Sequence, residues 1–338
     1  MSIDIFLGQI DGREAALLRD GKRIEDLLID TDAPRPGSIY RAIADRPVKG
    51  QGGMFCKTPD GSVFLKQVKG LSPGQPLLVQ VTGYAEEGKA IPVTTRLLFK
   101  SRYAIVTPDA PGLNVSRAIR DEARRDELLE IAHEVMDGAE MGLILRSACV
   151  DAEDHAIAAD IAEMRDVAAQ ILSDDSRSAE LLLEGDGPHA IAWRDWPEGN
   201  VIQGEDVLSD PTLLDDVAHA LRTEVSLGGG AYAYVEPTRA LVAVDVNTGA
   251  DTSPAAGLKA NIALARELPR LLRLRGLAGQ VVIDFAPMAK KDRRQLEGAL
   301  QKALRADSIE TNLIGWTPLG HLELSRHRAR ARLDWRPA

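Results

Sequence analysis

Ala240-Leu-Val-Ala-Val-Asp245-Val-Asn247 and Gln280-Val-Val-Ile-Asp284-Phe285 are two apolar runs that each reach an aspartate at or near their end. β-Branched residues are frequent in both, as in strands. Alternation along the first puts Leu241, Ala243, Asp245 and Asn247 on one face. The two aspartates are 39 positions apart, and a helical pattern fills the interval over about 257–275, with Leu258, Ile262, Ala265, Leu268 and Leu272 as its apolar stripe. A strand, a helix and a second strand of this length make a crossover that lays the strands side by side. Neighbouring strands lie about 5 Å apart, and two carboxylates at that spacing repel unless a cation sits between them. Mg²⁺ takes one or two carboxylates and completes its shell with water and phosphate oxygens. Asp245 and Asp284 are therefore read as the ligands of Mg²⁺, with Mn²⁺ as an alternative ion, and Asn247 can orient a water or a phosphate oxygen. The competing reading is that both aspartates cap turns at strand ends, a common role.

Basic side chains flank the pair. Arg266, Arg270 and Arg273 recur at i, i+4 and i+7, one stripe of the intervening helix, and Pro269 predicts a kink or break in it. Lys290-Lys291-Asp-Arg293-Arg294 opens a helix near 290–306, and Arg326, Arg328, Arg330 and Arg332 crowd the end. The chain carries a net charge of −10, yet residues 257–338 hold 16 Lys+Arg against 8 Asp+Glu, leaving 25 and 43 for residues 1–256. A basic quarter on an acidic body points to a polyanion surface; solvated helix faces are the alternative.

Upstream, turn signals at Asp11-Gly12 and Asp20-Gly21 divide residues 1–36 into two or three strands. Residues 37–98 alternate short β-rich runs with glycine and proline turns, the pattern of a small barrel or sandwich. A strand at Tyr103-Ala-Ile-Val-Thr, helices near 120–136 and 153–175, an unreadable Gly-, Pro- and Asp-rich stretch over 176–212 and a helix near 212–224 complete the map. The fold class is mixed α/β, α+β and multidomain. Two cysteines, Cys56 and Cys149, with no CxxC, exclude an intrachain cysteine zinc site and fit a reducing cytoplasm. No run of about 18 apolar residues exists, so no membrane partner is expected.

The segment from Ala240 to Gly249, then Leu271-Leu-Arg-Leu-Arg-Gly-Leu-Ala-Gly-Gln-Val-Val-Ile-Asp-Phe-Ala-Pro-Met288 and Gly320-His-Leu-Glu-Leu-Ser-Arg-His-Arg328, closely resembles the catalytic domain of the ribonuclease E/G family. The resemblance implies a DNase I-like catalytic domain over 223–338, with the two magnesium-binding aspartates at Asp245 and Asp284 and the supporting asparagine at Asn247. It implies an OB-fold RNA-binding domain over 37–100, in which Phe55 and Phe64 support stacked bases, their alternative being core positions of the barrel, and Lys89 marks the last strand. It implies a domain over 101–175 that senses a 5′-monophosphate through Arg146 and Ser147, with Ser101 and Ile105 lining the pocket, and a shortened RNase H-like part combining 1–36 with about 176–222. Arg117, Arg266, Arg270, Arg273, Arg326 and Arg328 complete the expected RNA contacts.

The implied activity is endonucleolytic cleavage of single-stranded RNA by metal-activated water, leaving 5′-phosphate and 3′-hydroxyl ends. The family's zinc link between protomers has no counterpart in these residues, so any homodimer is expected without it. Ser101 stands where the family has glycine and Ser147 where it has threonine, while Arg239 and Ala263 replace family glutamates. These departures keep open a second reading: an RNA-binding protein of the same fold that does not cut.

Overall fold

The computed structural model describes residues 2–48, 52–67, 70–333 and 335. Ala338, where the expected 223–338 domain ends, lies outside them. The chain forms two compact units: Met1–Thr31 with Pro197–Ala338, and Asp32–Trp196.

The chain opens with a meander, β1 (Ile3–Ile10), β2 (Arg13–Asp20) and β3 (Arg23–Ile29). Asp11 and Gly12 both have positive φ, 51° and 75°, so the two-residue turn has the twist that a tight hairpin needs.

Next come β4 (Ile39–Val48), β5 (Gly53–Thr58), β6 (Gly61–Leu65), β7 (Pro76–Val81) and β8 (Ile91–Thr94). They pair in the order β4-β5-β6-β8-β7, and β7 returns to β4, closing a five-stranded barrel consistent with an OB-fold. Alternation turns Met54, Cys56, Val63 and Leu65 into the barrel core. The chain continues through β9 (Phe99–Lys100), β10 (Ala104–Thr107), β11 (Leu113–Val115), α1 (Glu122–Val135), β12 (Gly142–Leu145), α2 (Asp154–Leu172), β13 (Glu180–Leu183) and α3 (Pro188–Asp195). Strands β11-β12-β10-β9 form a sheet. Ala104, Val106, Leu143 and Leu145 face Leu128 of α1 and Ile157 and Ile161 of α2. Lys100, Ile105 and Ile144 are register partners on the opposite face.

The first unit resumes with β14 (Asn200–Gln203) and α4 (Pro211–Ala220). Of the stretch 176–222, β14 joins β1 in parallel, whereas β13 pairs with β4 of the barrel. The sequence expectation that all of 176–222 lies with the N-terminal strands is corrected to that extent.

The chain ends in β15 (Glu224–Gly228), β16 (Ala231–Pro237), β17 (Val242–Asn247), α5 (Pro254–Leu274), β18 (Gly279–Asp284), α6 (Arg293–Ala306), β19 (Thr311–Trp316) and β20 (Leu322–Arg326). The strands form one sheet, β15-β16-β17-β18-β20-β19. Its Val242, Val244, Val246, Val281, Ile283, Leu322 and Leu324 pack against Leu264, Leu268 and Leu272 of α5 and Leu296 and Leu300 of α6. The other face carries the polar alternates. Pro269 lies inside α5 and does not end it. Its missing N–H removes one helical bond, but buried Leu268, Leu271 and Leu272 on either side hold the helix against the sheet. No helix among the described residues is long and apolar enough to cross a membrane.

Candidate active site

Strands β17 and β18 run parallel, and Asp245 is the direct register partner of Asp284. Alternation puts both side chains on the face that the helices leave open, and both residues are exposed. Register partners on adjacent strands hold their Cβ atoms about 5 Å apart, so the carboxylates share one small volume. Asn247 donates from Nδ2 to Oδ2 of Asp245 at 2.8 Å, fixing one carboxylate rotamer. On the far side, Nε2 of His321 lies 3.8 Å from Oδ1 of Asp284. Tyr234 is the register partner of Asp245 on β16 and donates its hydroxyl to Glu224 at 2.8 Å. A row thus crosses the sheet from Glu224 through Tyr234, Asp245 and Asp284 to His321.

The chain leaving Asp284 is pinned from behind. Asn261 of α5, wholly buried, accepts from the N–H of Ala286 at 3.0 Å and donates to its carbonyl at 2.9 Å. Gly257, one turn earlier, lets the carbonyl of Pro287 approach; a Cβ there would stand 2.1 Å from that oxygen. Phe285 then packs against Trp316 at 5.9 Å, and Arg293 lies over the Trp316 ring at 4.1 Å.

Two carboxylate donors on an open polar face suit a hard cation that keeps most of its water. Among the described residues no group of three or more His, Cys, Asp or Glu is placed to hold a metal. Cys56 and Cys149 are buried, and burial pushes both thiols up to about 11, which leaves neither a ready nucleophile.

Several arginines expected at this site are elsewhere. Arg270 donates to the Ile24 carbonyl at 2.6 Å and pairs with Glu267. Arg273 bonds Asp307 and the Glu25 carbonyl. Arg326 is 3 % exposed and donates to Asp307 and Thr311, each at 2.7 Å. Arg326 is the register partner of Gly279, so it stands at the opposite end of β18 from Asp284. Arg328 also lies there, its guanidinium filling the space beside Gly279. The physical reason is burial: α5 covers the closed face of the sheet, and its arginines answer acidic groups and carbonyls there. Arg266 remains exposed, lining a groove with His219, Glu224 and Ser226 at the β15 edge of the sheet.

On the barrel, Phe55 and Phe64 are register partners whose rings stand 5.2 Å apart. Both point outward from the core and are partly exposed, and Arg46 lies 5.0 Å over the Phe55 ring. Gly53 gives Phe64 its room, since a Cβ there would fall 2.4 Å from the ring. Lys89 sits in the turn before β8 and pairs with Glu86. Arg117 is exposed after β11.

Arg146 and Ser147 follow β12, and the Ser147 residue is exposed. Ser101 turns its hydroxyl to Asp160 of α2 and offers Arg146 its carbonyl, at 2.5 Å. Ile105 shares a sheet face with Lys100. The residue that sequence reading missed is Asp195, which accepts from Nη2 of Arg146 at 2.6 Å. Burial opposes its ionisation, but the hydrogen bond from Arg194 and the charges of Arg194, Lys100 and Arg146 hold its carboxyl well below the usual range.

The model of the Ribonuclease E/G family matches residues 99–203 and 200–329, a span that includes Asp245 and Asp284. Ribonuclease E from Nostoc sp. is 28 % identical over 365 residues, covering 90 % of this chain and 53 % of that protein. Ribonuclease G from Salmonella typhimurium is 27 % identical over 385 residues, covering 93 % and 78 %. Ribonuclease E from Escherichia coli (strain K12) is 26 % identical over 303 residues, covering 76 % and 28 %. The chain spans about half the length of the Nostoc protein it matches.

Proposed function

The chain belongs to the ribonuclease E/G family, and from that premise we propose that it is a Mg²⁺-dependent endoribonuclease acting on single-stranded RNA in RNA processing or decay in the cytoplasm. One observation carries the reading: Asp245 and Asp284 are register partners on the open face of a sheet. The six-stranded sheet backed by α5 and α6 is read as the DNase I-like catalytic part. Asp245 and Asp284 hold the ion, as their oxygen donors suit Mg²⁺. A bound Mg²⁺ supplies positive charge that lowers the cost of building negative charge on a phosphate.

The chain's own groups do the rest. Asn247 restrains the Asp245 carboxylate through its hydrogen bond from Nδ2. Asn261 fixes the path of the chain that leaves Asp284. Phe55, Phe64 and Arg46 offer a surface on which bases stack. Arg146 and Ser147 form the position for the RNA 5′ end. Hydrolysis leaves 5′-phosphate and 3′-hydroxyl ends, and any homodimer forms without a zinc link.

The test is cleavage of a labelled single-stranded RNA in Mg²⁺ by the parent, Asp245→Asn and Asp284→Asn, beside matched DNA. Each variant should lose at least about 100-fold in rate and keep the parent's melting temperature, because both side chains are exposed. A folded variant that cuts as fast as the parent removes the assignment. RNA binding by the parent without any cutting in Mg²⁺ or Mn²⁺ replaces it with the binding-protein reading.

A further inference from the structure

The guanidinium of Arg146 is held by acceptors from within its own unit. Nη1 donates to the carbonyls of Ser101 at 2.5 Å and Arg102 at 3.2 Å, and Nη2 donates to Oδ1 of Asp195 at 2.6 Å. Two further cations meet the same carboxylate: Nη2 of Arg194 lies 2.7 Å from Oδ2, and Nζ of Lys100 lies 3.1 Å from Oδ1. Asp195 is the last residue of α3. A negative charge at a helix C-terminus opposes the helix dipole, so the three cations, not the helix, make this position favourable. Three cations around one small anion, with both of its oxygens engaged, is also how a terminal phosphate is gripped.

We propose that Asp195 is a specificity-determining residue: it takes the anion position of Arg146, so that this chain accepts RNA whether or not its 5′ end carries a phosphate. The proposal rests on the reading of Arg146 as the 5′-end position. The carboxylate is bound to the chain at high effective concentration, and a 5′-phosphate must displace it before it gains the same donors. Asp195 lies in the Gly-, Pro- and Asp-rich stretch whose fold the sequence left unread, which is why the pairing is invisible there.

The test compares binding of one short oligoribonucleotide, made with a 5′-monophosphate or a 5′-hydroxyl, in metal-free buffer by fluorescence anisotropy. The parent should bind the two within about twofold, and Asp195→Asn should favour the monophosphate by about tenfold or more, the worth of one charge-assisted bond set. Adding Arg146→Gln should abolish the gained preference, and inorganic phosphate should compete with it. A parent that already prefers the monophosphate by about tenfold, with Arg146→Gln removing the preference, overturns the proposal and leaves the 5′-end reading standing. Equal binding of both RNAs by the parent and by folded Asp195→Asn overturns both. Should Asp195→Asn fail to fold, Asp195→Ser serves in its place, and the parent's own ratio still decides against the proposal if it is high.

Discussion

Asp307 accepts two guanidinium groups at once, from Arg273 and Arg326, and the side chains of Asp307 and Arg326 are 1 % and 0 % exposed. Removing one partner of a buried pair leaves an uncompensated charge, at a cost of about 3–5 kcal/mol. Asp307→Asn should therefore lower unfolding stability by that order in denaturant titration. Replacing the pair together, as Asp307→Leu with Arg326→Met, should cost less than the single change. A loss below about 1 kcal/mol for Asp307→Asn would show that the pair carries no such weight. The same residues show what a sequence hides. An i, i+4, i+7 run of arginines establishes that one stripe of α5 is basic; it does not say what that stripe meets. Arg270 meets a carbonyl 246 positions away in the chain, and no local pattern encodes that encounter. Arg146 is a second instance, because its partner lies in a stretch without periodicity. Asp245 and Asp284 are the opposite case: alternation and one crossover are enough to place them together.

At the scale of elements, period 2 is read well and exit geometry is not. The barrel strands carry alternating small apolar residues, so which side faces the core follows once the strands are drawn. Phe55 and Phe64 were open between core and surface in the sequence; the register resolves it, because Met54, Cys56, Val63 and Leu65 fill the inside. A pair of aromatics on the outer face, with a cation over one ring, is the surface proposed above for stacked bases. Phe55→Ala and Phe64→Ala should each weaken single-stranded RNA binding by about 1–3 kcal/mol and barely change the melting temperature. Anisotropy titrations on both variants check this, and unchanged affinity in both would take the barrel face out of RNA contact. The loop after Asp284 is an exit that the sequence does not announce. Asn261 sits in the helical stripe like any polar interruption, and only the fold shows that it clamps Ala286 through both backbone groups.

For the whole molecule the decisive fact is discontinuity. The unit that holds the two aspartates is assembled from Met1–Thr31 and Pro197–Ala338, while Asp32–Trp196 is one uninterrupted stretch with its own two cores. Phe6, Leu17, Ile24 and Leu27 of β1–β3 bury Leu213, Val217, Leu221 and Leu274, each of which would lose about 1.5–3 kcal/mol if uncovered. Arg270 and Arg273 would also lose the carbonyls of Ile24 and Glu25. A fragment of residues 197–338 should therefore fail to melt cooperatively, and joining Thr31 to Pro197 through a short Gly/Ser linker should restore a cooperative transition. The fragment 32–196 should fold unaided, since its cores draw on no residue outside it. Near-ultraviolet circular dichroism during heating reads all three. If 197–338 alone unfolds as sharply and at the same temperature as the linked form, the N-terminal meander is an ornament, and the sheet bearing Asp245 and Asp284 stands without it.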